Sequence, residues 1–164
     1  MIPLVRVDNR LLHGQVLETW IPRLGAAAVV VADDEAARSP LAQAAMTLCC
    51  PAEVPVRVQR LDEVDFAALA SEPRPVLVLV RDVAGLTAAA ARGLTPGQAP
   101  QLNVGNVHYA SGRAAVSPSV YLSQAELDAL QALAEAGFRV EARALPTDPP
   151  AGLDELRRRF QGGR

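Results

Sequence analysis

An open, mostly parallel, twisted α/β sheet with helices on both faces and one antiparallel edge strand is the fold this sequence predicts, and three observations lead there. Short β-branched runs alternate with Ala/Leu-rich segments of helix length from one end to the other. The runs are apolar at consecutive positions, as in strands covered on both faces. Explicit capping signals mark the starts of helices. Doubly buried strands joined by helix-length crossovers form a parallel sheet.

Taken in order, the strands are PLVRVD, AAVVVAD, VPVRVQ, PVLVLV, PQLNVG and RVEARAL. The helices between them are GQVLETWI, SPLAQAAMTLCC, LDEVDFAALA, DVAGLTAAAARG and SQAELDALQALAEAG. Ser39 before Pro40 is a cap followed by proline at the first helical position. Ser123 with Glu126 forms a capping box, and Gly137 closes that helix. RAAVSPSVYL breaks the alternation as a Pro-containing hairpin and is the candidate for the antiparallel edge. Pro22 falls within an extended first helix and is expected to end or kink it, since its ring clashes with the carbonyl four residues back. Trp20, on the same helical face as His13, reads as core, and RRRFQGGR reads as a frayed end.

The chain has 164 residues, which fits a single domain over 1–164. Its net charge of -2 argues against a nucleic-acid partner, whose phosphates normally demand a basic excess. Every basic side chain is arginine. No signal peptide is visible at MIPLVRVDNR, and the apolar runs LGAAAVVVA and PVLVLV are too short to span a bilayer. A cytoplasmic protein is expected. Cys49 and Cys50 are neighbours without a histidine cluster, and read as small apolar residues late in a buried helix.

In open α/β sheets ligands gather at the carboxyl ends of strands. Three loops qualify: DNRLLHG, ADDEAARSP and NVGNVHYASG. Both histidines of the chain, His13 and His108, lie in them. No GxxxxGK[ST] or GxGxxG element is present, which argues against nucleotide and dinucleotide sites. Asp33 and Asp34 after a strand suggest a receiver's acidic pocket, but a receiver needs a lysine. A hydrolase using His13 as base lacks a nucleophile in a GxSxG-like setting.

An imidazole suits phosphoryl transfer, being partly neutral and nucleophilic near neutral pH. Its phosphorylated form carries nearly two negative charges and three strong acceptors, so it needs amides and a cation. Gly14, opening the next helix, and Gln15 could supply backbone N–H groups. Arg10 could bind the phosphoryl oxygens, with Arg6 as a second candidate. Asp8 could fix the imidazole tautomer. Spacing alone does not settle the role and favours a plain helix-capping or solvent-facing histidine.

RVDNRLLHGQV resembles the RxDxRLxHGQV signature of IIB components of the mannose/fructose/sorbose class of the bacterial phosphoenolpyruvate-dependent sugar phosphotransferase system. VVVADDEAARSP, LNVGNVHYASGR and LPTDPP resemble further segments of that family in the same order, so the likeness covers essentially the whole chain. The resemblance implies a protein-Nπ-phosphohistidine–sugar phosphotransferase. His13 would accept phosphate on Nδ1 from a IIA phosphocarrier and pass it to a sugar at the IIC and IID membrane subunits. No metal or organic cofactor is implied. The protein would be cytoplasmic, reaching the inner face of the membrane through IIC and IID. By matched position Asp8, Arg10, Gly14 and Gln15 form the active loop. Asp33 and Asp34 flank it, orienting Arg10 or shaping the partner surface, and His108 is a surface imidazole or a supporting partner. Asn106 replaces a family glycine, and its tolerance of positive φ would preserve the turn. A regulatory relay without a sugar substrate and a non-catalytic module that binds a phosphorylated ligand are the alternatives. Self-association and the identity of the sugar are left open by the sequence.

Overall fold

The computed structural model describes residues 1–163. In chain order the elements are β1 (Leu4–Asp8), a π-helical turn (Val16–Trp20), α1 (Ile21–Leu24), β2 (Ala28–Ala32), α2 (Asp34–Ala37), α3 (Pro40–Cys49) and β3 (Val56–Gln59). A 3-10 turn (Leu61–Glu63), α4 (Phe66–Ser71), β4 (Val76–Val80), α5 (Val83–Ala91) and β5 (Gln101–Asn106) follow. The chain ends with β6 (Ala114–Ser117), β7 (Val120–Leu122), α6 (Gln124–Glu135), β8 (Arg139–Ala142), β9 (Ala151–Gly152) and α7 (Leu153–Gly162).

The seven-stranded sheet has the order β3-β2-β4-β1-β5-β8-β9. Every pairing is parallel except β8 with β9. Strands β1, β2 and β4 are buried along their whole length. Successive residues feed two separate cores, as the period-2 alternation of side chains requires. Val5, Val7, Val30, Val78 and Val80 join the core on one face, while Leu4, Val29, Val31, Leu77 and Leu79 join the other. That division explains why these strands read as unbroken apolar runs.

Several details depart from the expectations. The antiparallel edge is β9, a two-residue strand, whereas RAAVSPSVYL folds into a separate two-stranded sheet of β6 and β7. Residues 157–162 of the RRRFQGGR segment form the second half of α7 rather than a frayed end, because Leu156 and Phe160 are buried in the main core; Arg164 lies outside the described residues. Helix α3 is largely exposed, with Met46 its one buried residue and Cys49 open to solvent. Partial burial and the neighbouring Cys49 push the Cys50 thiol up to about 11.

Pro22 does not end the first helix. The chain passes through it to Leu24 and closes at Gly25 in a left-handed conformation (φ 59). The turn before the proline widens instead, so that Ile21 N–H reaches Val16 O. A π-turn inserts one residue into the helix, a distortion often found at functional sites. The predicted LDEVDFAALA helix divides at Asp65, whose carboxylate accepts Ala68 N–H at 2.9 Å and caps α4.

Candidate functional site

The carboxyl ends of β1, β2, β4 and β5 lie along one edge of the sheet, and the loop after β1 occupies its middle. Asp8 ends β1 and governs the turn that follows. Its Oδ1 accepts Arg10 N–H at 3.0 Å, and its carbonyl accepts Leu11 N–H at 2.9 Å. Leu11 takes a left-handed conformation (φ 57), unusual for a leucine and costing about 1–2 kcal/mol. Burial of Leu11 and Leu12 beside Val16 and Trp20 holds it there. His13 O then accepts Leu17 N–H at 3.1 Å, so His13 stands at the start of the helix. The amides of Gly14 and Gln15 fall in the first turn, where N–H groups have no intrahelical acceptor.

The imidazole is held from below. His13 Nε2 lies 2.9 Å from Asp8 Oδ2, and Asp8 is fully buried. Burial alone would raise the Asp8 carboxyl. The hydrogen bond from His13, the nearby Arg6 charge and the Arg10 amide outweigh it and hold the carboxyl below the usual carboxylate range. An ionised carboxylate only accepts, so Nε2 carries a proton and, in the neutral ring, the lone pair lies on Nδ1.

Arg6 departs from its expected place against the phosphoryl group. Its side chain has no exposed surface and lies beneath Asp8, donating to Oδ2 from Nε at 3.3 Å and from Nη2 at 3.0 Å. Nη1 donates to Asn103 Oδ1 at 2.7 Å and to Arg143 O at 3.3 Å. Trp20 covers the guanidinium, with its ring centroid 5.2 Å from Cζ, and Arg143 stacks on the same ring at 5.4 Å. Trp20 Nε1 donates to Ala144 O at 2.9 Å, which satisfies the one polar atom of a core residue. β1 is flanked by β4 and β5 and covered on both faces, so no β1 side chain reaches solvent.

Arg10, by contrast, is exposed, and its guanidinium makes no hydrogen bond or ion pair among the described residues. Asp33 does not orient it. Asp33 caps α2, accepting Ala36 N–H at 2.8 Å, and binds Arg81 through both oxygens at 2.9 and 2.7 Å. Burial pushes the Asp33 carboxyl up, but the Arg81 bonds and the Ala36 amide bring it below its ordinary value. Asp34 Oδ1 accepts Leu61 N–H at 2.8 Å, fixing the entry to the 3-10 turn.

Asn106 is the last residue of β5 and has no positive φ, so the conformational reason offered for it does not apply. Its Nδ2 lies 3.4 Å from Asp8 Oδ1 and 3.5 Å from His108 Nε2. His108 is exposed at the same edge. Arg81 and Asn9 were not singled out from the sequence. Arg81 follows the apolar run PVLVLV at a strand's carboxyl end, which is the signal that could have marked it. Asn9 lies inside the histidine loop itself and carried no charge to draw notice.

The arrangement offers an imidazole nitrogen with a free lone pair, two first-turn amides beside it and an unpaired guanidinium. A charged counterpart, Asp8, steadies the far side of the ring. Such a constellation can take up and release an anionic group at Nδ1.

Residues 2–161 match the family described as PTS system sorbose subfamily IIB component. Among similar proteins, the N-acetylgalactosamine-specific phosphotransferase enzyme IIB component 2 of Escherichia coli K12 is 31% identical, with 94% of this chain and 98% of that one aligned. The fructose-specific EIIB component of Bacillus subtilis is 25% identical over 90% of each chain. Of the solved structures, manxB of Thermoanaerobacter tengcongensis superposes with a TM-score of 0.84 at 28% identity, covering 98% of this chain and 96% of that one. The IIBSor domain of the Klebsiella pneumoniae sorbose permease has the same fold, with a TM-score of 0.84 at 22% identity and 96% and 97% coverage. The match over nearly the whole chain, in sequence and in fold, places this protein among the sorbose-subfamily IIB components of the sugar phosphotransferase system.

Proposed function

We propose that the protein is a protein-Nπ-phosphohistidine–sugar phosphotransferase in which His13 carries the phosphoryl group on Nδ1. The donor is a phosphohistidine on a IIA domain, and the acceptor is a sugar hydroxyl presented by IIC and IID membrane subunits. The relatives support the chemical class. The observation that carries the residue assignment is the Asp8 contact: Oδ2 engages Nε2 at 2.9 Å, which leaves Nδ1 as the nucleophilic nitrogen.

In uptake, the Nδ1 lone pair of His13 attacks phosphorus in line as the N–P bond of the donor breaks. The donor imidazole leaves with the bonding electron pair and takes a proton from solvent. The His13 ring keeps its Nε2 proton, donated to Asp8, whose charge offsets the positive charge that N-phosphorylation leaves on the ring. Arg10 reaches the phosphoryl oxygens, and the amides of Gly14 and Gln15 complete the anion site. Arg6 acts on the group only through Asp8. In delivery, a sugar hydroxyl oxygen forms the new P–O bond while the Nδ1–P bond breaks, its electron pair returning to the imidazole. The hydroxyl proton leaves to solvent. The work is positioning and charge stabilisation, as is usual in phosphoryl transfer.

The test is intact mass after incubation with phosphoenolpyruvate, enzyme I, HPr and a competent IIA domain, for wild type, His13→Ala and His108→Ala. One acid-labile phosphoryl group, lost in His13→Ala and kept in His108→Ala, is expected. Undiminished labelling of folded His13→Ala would refute the assignment.

A further inference from the structure

One line of hydrogen bonds laces four strand ends together beside His13, and Asn9 is its middle link. At the end of β2, Asp33 is bound twice by Arg81. Arg81 follows β4, and its carbonyl accepts from Asn9 Nδ2 at 2.7 Å. Asn9 follows β1, and its Oδ1 accepts His108 N–H at 2.6 Å. His108 follows β5. The strands stand in the order β2, β4, β1, β5, so the line runs along the carboxyl edge of the sheet. Asn9 donates at one end of its amide and accepts at the other, which a carboxamide does and a carboxylate cannot.

The two bonds differ in consequence. Arg81 is already fixed by Asp33 and by the pairing of Val7 with Val80 just before it. The loop between β5 and β6 is hydrogen-bonded to the His13 loop at Asn9. Asn9 N–H donates to Asn106 O at 2.9 Å, and its side chain takes the His108 amide. Next to that junction Asn106 Nδ2 approaches Asp8 Oδ1 at 3.4 Å, on the carboxylate that holds His13.

We propose that Asn9 is a positioning residue for phosphoryl transfer: its side chain clamps the start of the β5–β6 loop, at the His108 amide, onto the His13 loop, next to the strand end where Asn106 meets Asp8. This rests on His13 being the phosphoryl carrier. Asn9 touches none of the reacting atoms. It acts through the Asp8–His13 pair, whose placement decides whether Nδ1 meets the donor phosphorus in line.

Two variants separate the bonds. Asn9→Leu removes both at similar volume, while Asn9→Asp keeps the acceptor for His108 N–H but turns a second acceptor oxygen toward Arg81 O. Initial rates of uptake from a phosphorylated IIA domain are measured across donor concentrations. The His108 amide resonance is followed by 1H–15N NMR. Uptake by Asn9→Leu at saturating donor is expected to fall about ten- to a hundredfold, as small misplacements of reacting groups do. The half-saturating donor concentration should change little. Asn9→Asp should lose less rate than Asn9→Leu and return the His108 amide toward its wild-type position. If Asn9→Leu does not fold, Asn9→Ala takes its place. Equal rates for wild type and Asn9→Leu, or equal losses in Asn9→Leu and in an Asn9→Asp protein whose His108 amide is back in place, would overturn the clamp while leaving the His13 carrier intact. A wild-type protein that takes no phosphate would overturn both.

Discussion

The Arg6 guanidinium lies flat against Gly105, so close that a Cβ on residue 105 would fall 1.9 Å from Arg6 Cζ. Gly105 has no positive φ and needs none; the absent side chain is what matters. The glycine of the NVGN segment is therefore a cradle for a buried cation. That cation supports Asp8, and Asp8 supports His13.

Gly105→Ala should destabilise the protein by about 3 kcal/mol or more. The methyl group cannot share space with Arg6, and moving Arg6 breaks a fully buried ion pair and its bond to Asn103. Urea unfolding measures this. The cost should shrink in an Arg6→Ala background, because the two residues occupy one volume. Additive losses in that double-mutant cycle would show that the cradle is not the reason for the glycine.

Arg10→Ala should leave stability within about 0.5 kcal/mol of wild type, since its exposed side chain holds nothing in the fold. Phosphoryl uptake should nevertheless fall about ten- to a hundredfold, the loss of one or two charge-assisted hydrogen bonds. Paired thermal melts and initial rates decide. A fall in melting temperature matching the fall in rate would remove Arg10 from the phosphoryl site.

Much of this was legible from residue pattern, and the gaps have physical causes. The central strands were readable because both faces are covered, which leaves their runs continuously apolar. The same fact should have placed Arg6 indoors: an arginine between Val5 and Val7 in such a strand has no solvent side to occupy. The arginines of α7 give it the look of a solvated tail, although Leu153, Leu156 and Phe160 recur on one helical face. Strand β9 is two residues long, too short for any periodicity to show. Pro22 marks the place of the π-turn but not its form, since the helix widens ahead of the proline instead of breaking. Within the site, His13, Asp8 and Arg10 were marked by residue type and motif. Asn9 and Arg81 were not, because their roles run through contacts between loops distant in sequence.

Asp8→Asn tests the support of the imidazole without changing its shape much. An amide in that place no longer pairs with Arg6 and no longer demands Nε2–H as its partner. Stability should drop by about 3 kcal/mol, the low end for breaking a fully buried pair, because Arg6 keeps its bonds to Asn103 and Arg143 O. Uptake should fall about a hundredfold, as expected when a group that holds a reacting nucleophile is lost. The imidazole tautomer, read from 15N shifts of His13, should move away from the Nε2–H form. A folded Asp8→Asn protein with unchanged tautomer and rate would refute the support role.

Acid should weaken the fold through a small set of carboxylates. Asp8, Asp33 and Glu126 are all held below their ordinary values despite burial, by His13 and Arg6, by Arg81, and by Arg113 with the Ser123 cap respectively. A carboxyl depressed in the folded state binds its proton more readily when unfolded. Its contribution is therefore complete above the unfolded value of about 4 and is lost as pH falls through the lower folded value. Urea midpoints should stay nearly level from pH 7 to about 5 and then decline steeply below about pH 4. Asp8→Asn, already weakened at neutral pH, should decline less steeply over the same acid range because one titrating group is gone. Parallel acid limbs for wild type and Asp8→Asn would mean that Asp8 ionises with the same ease folded and unfolded, and that its partners do not hold its charge.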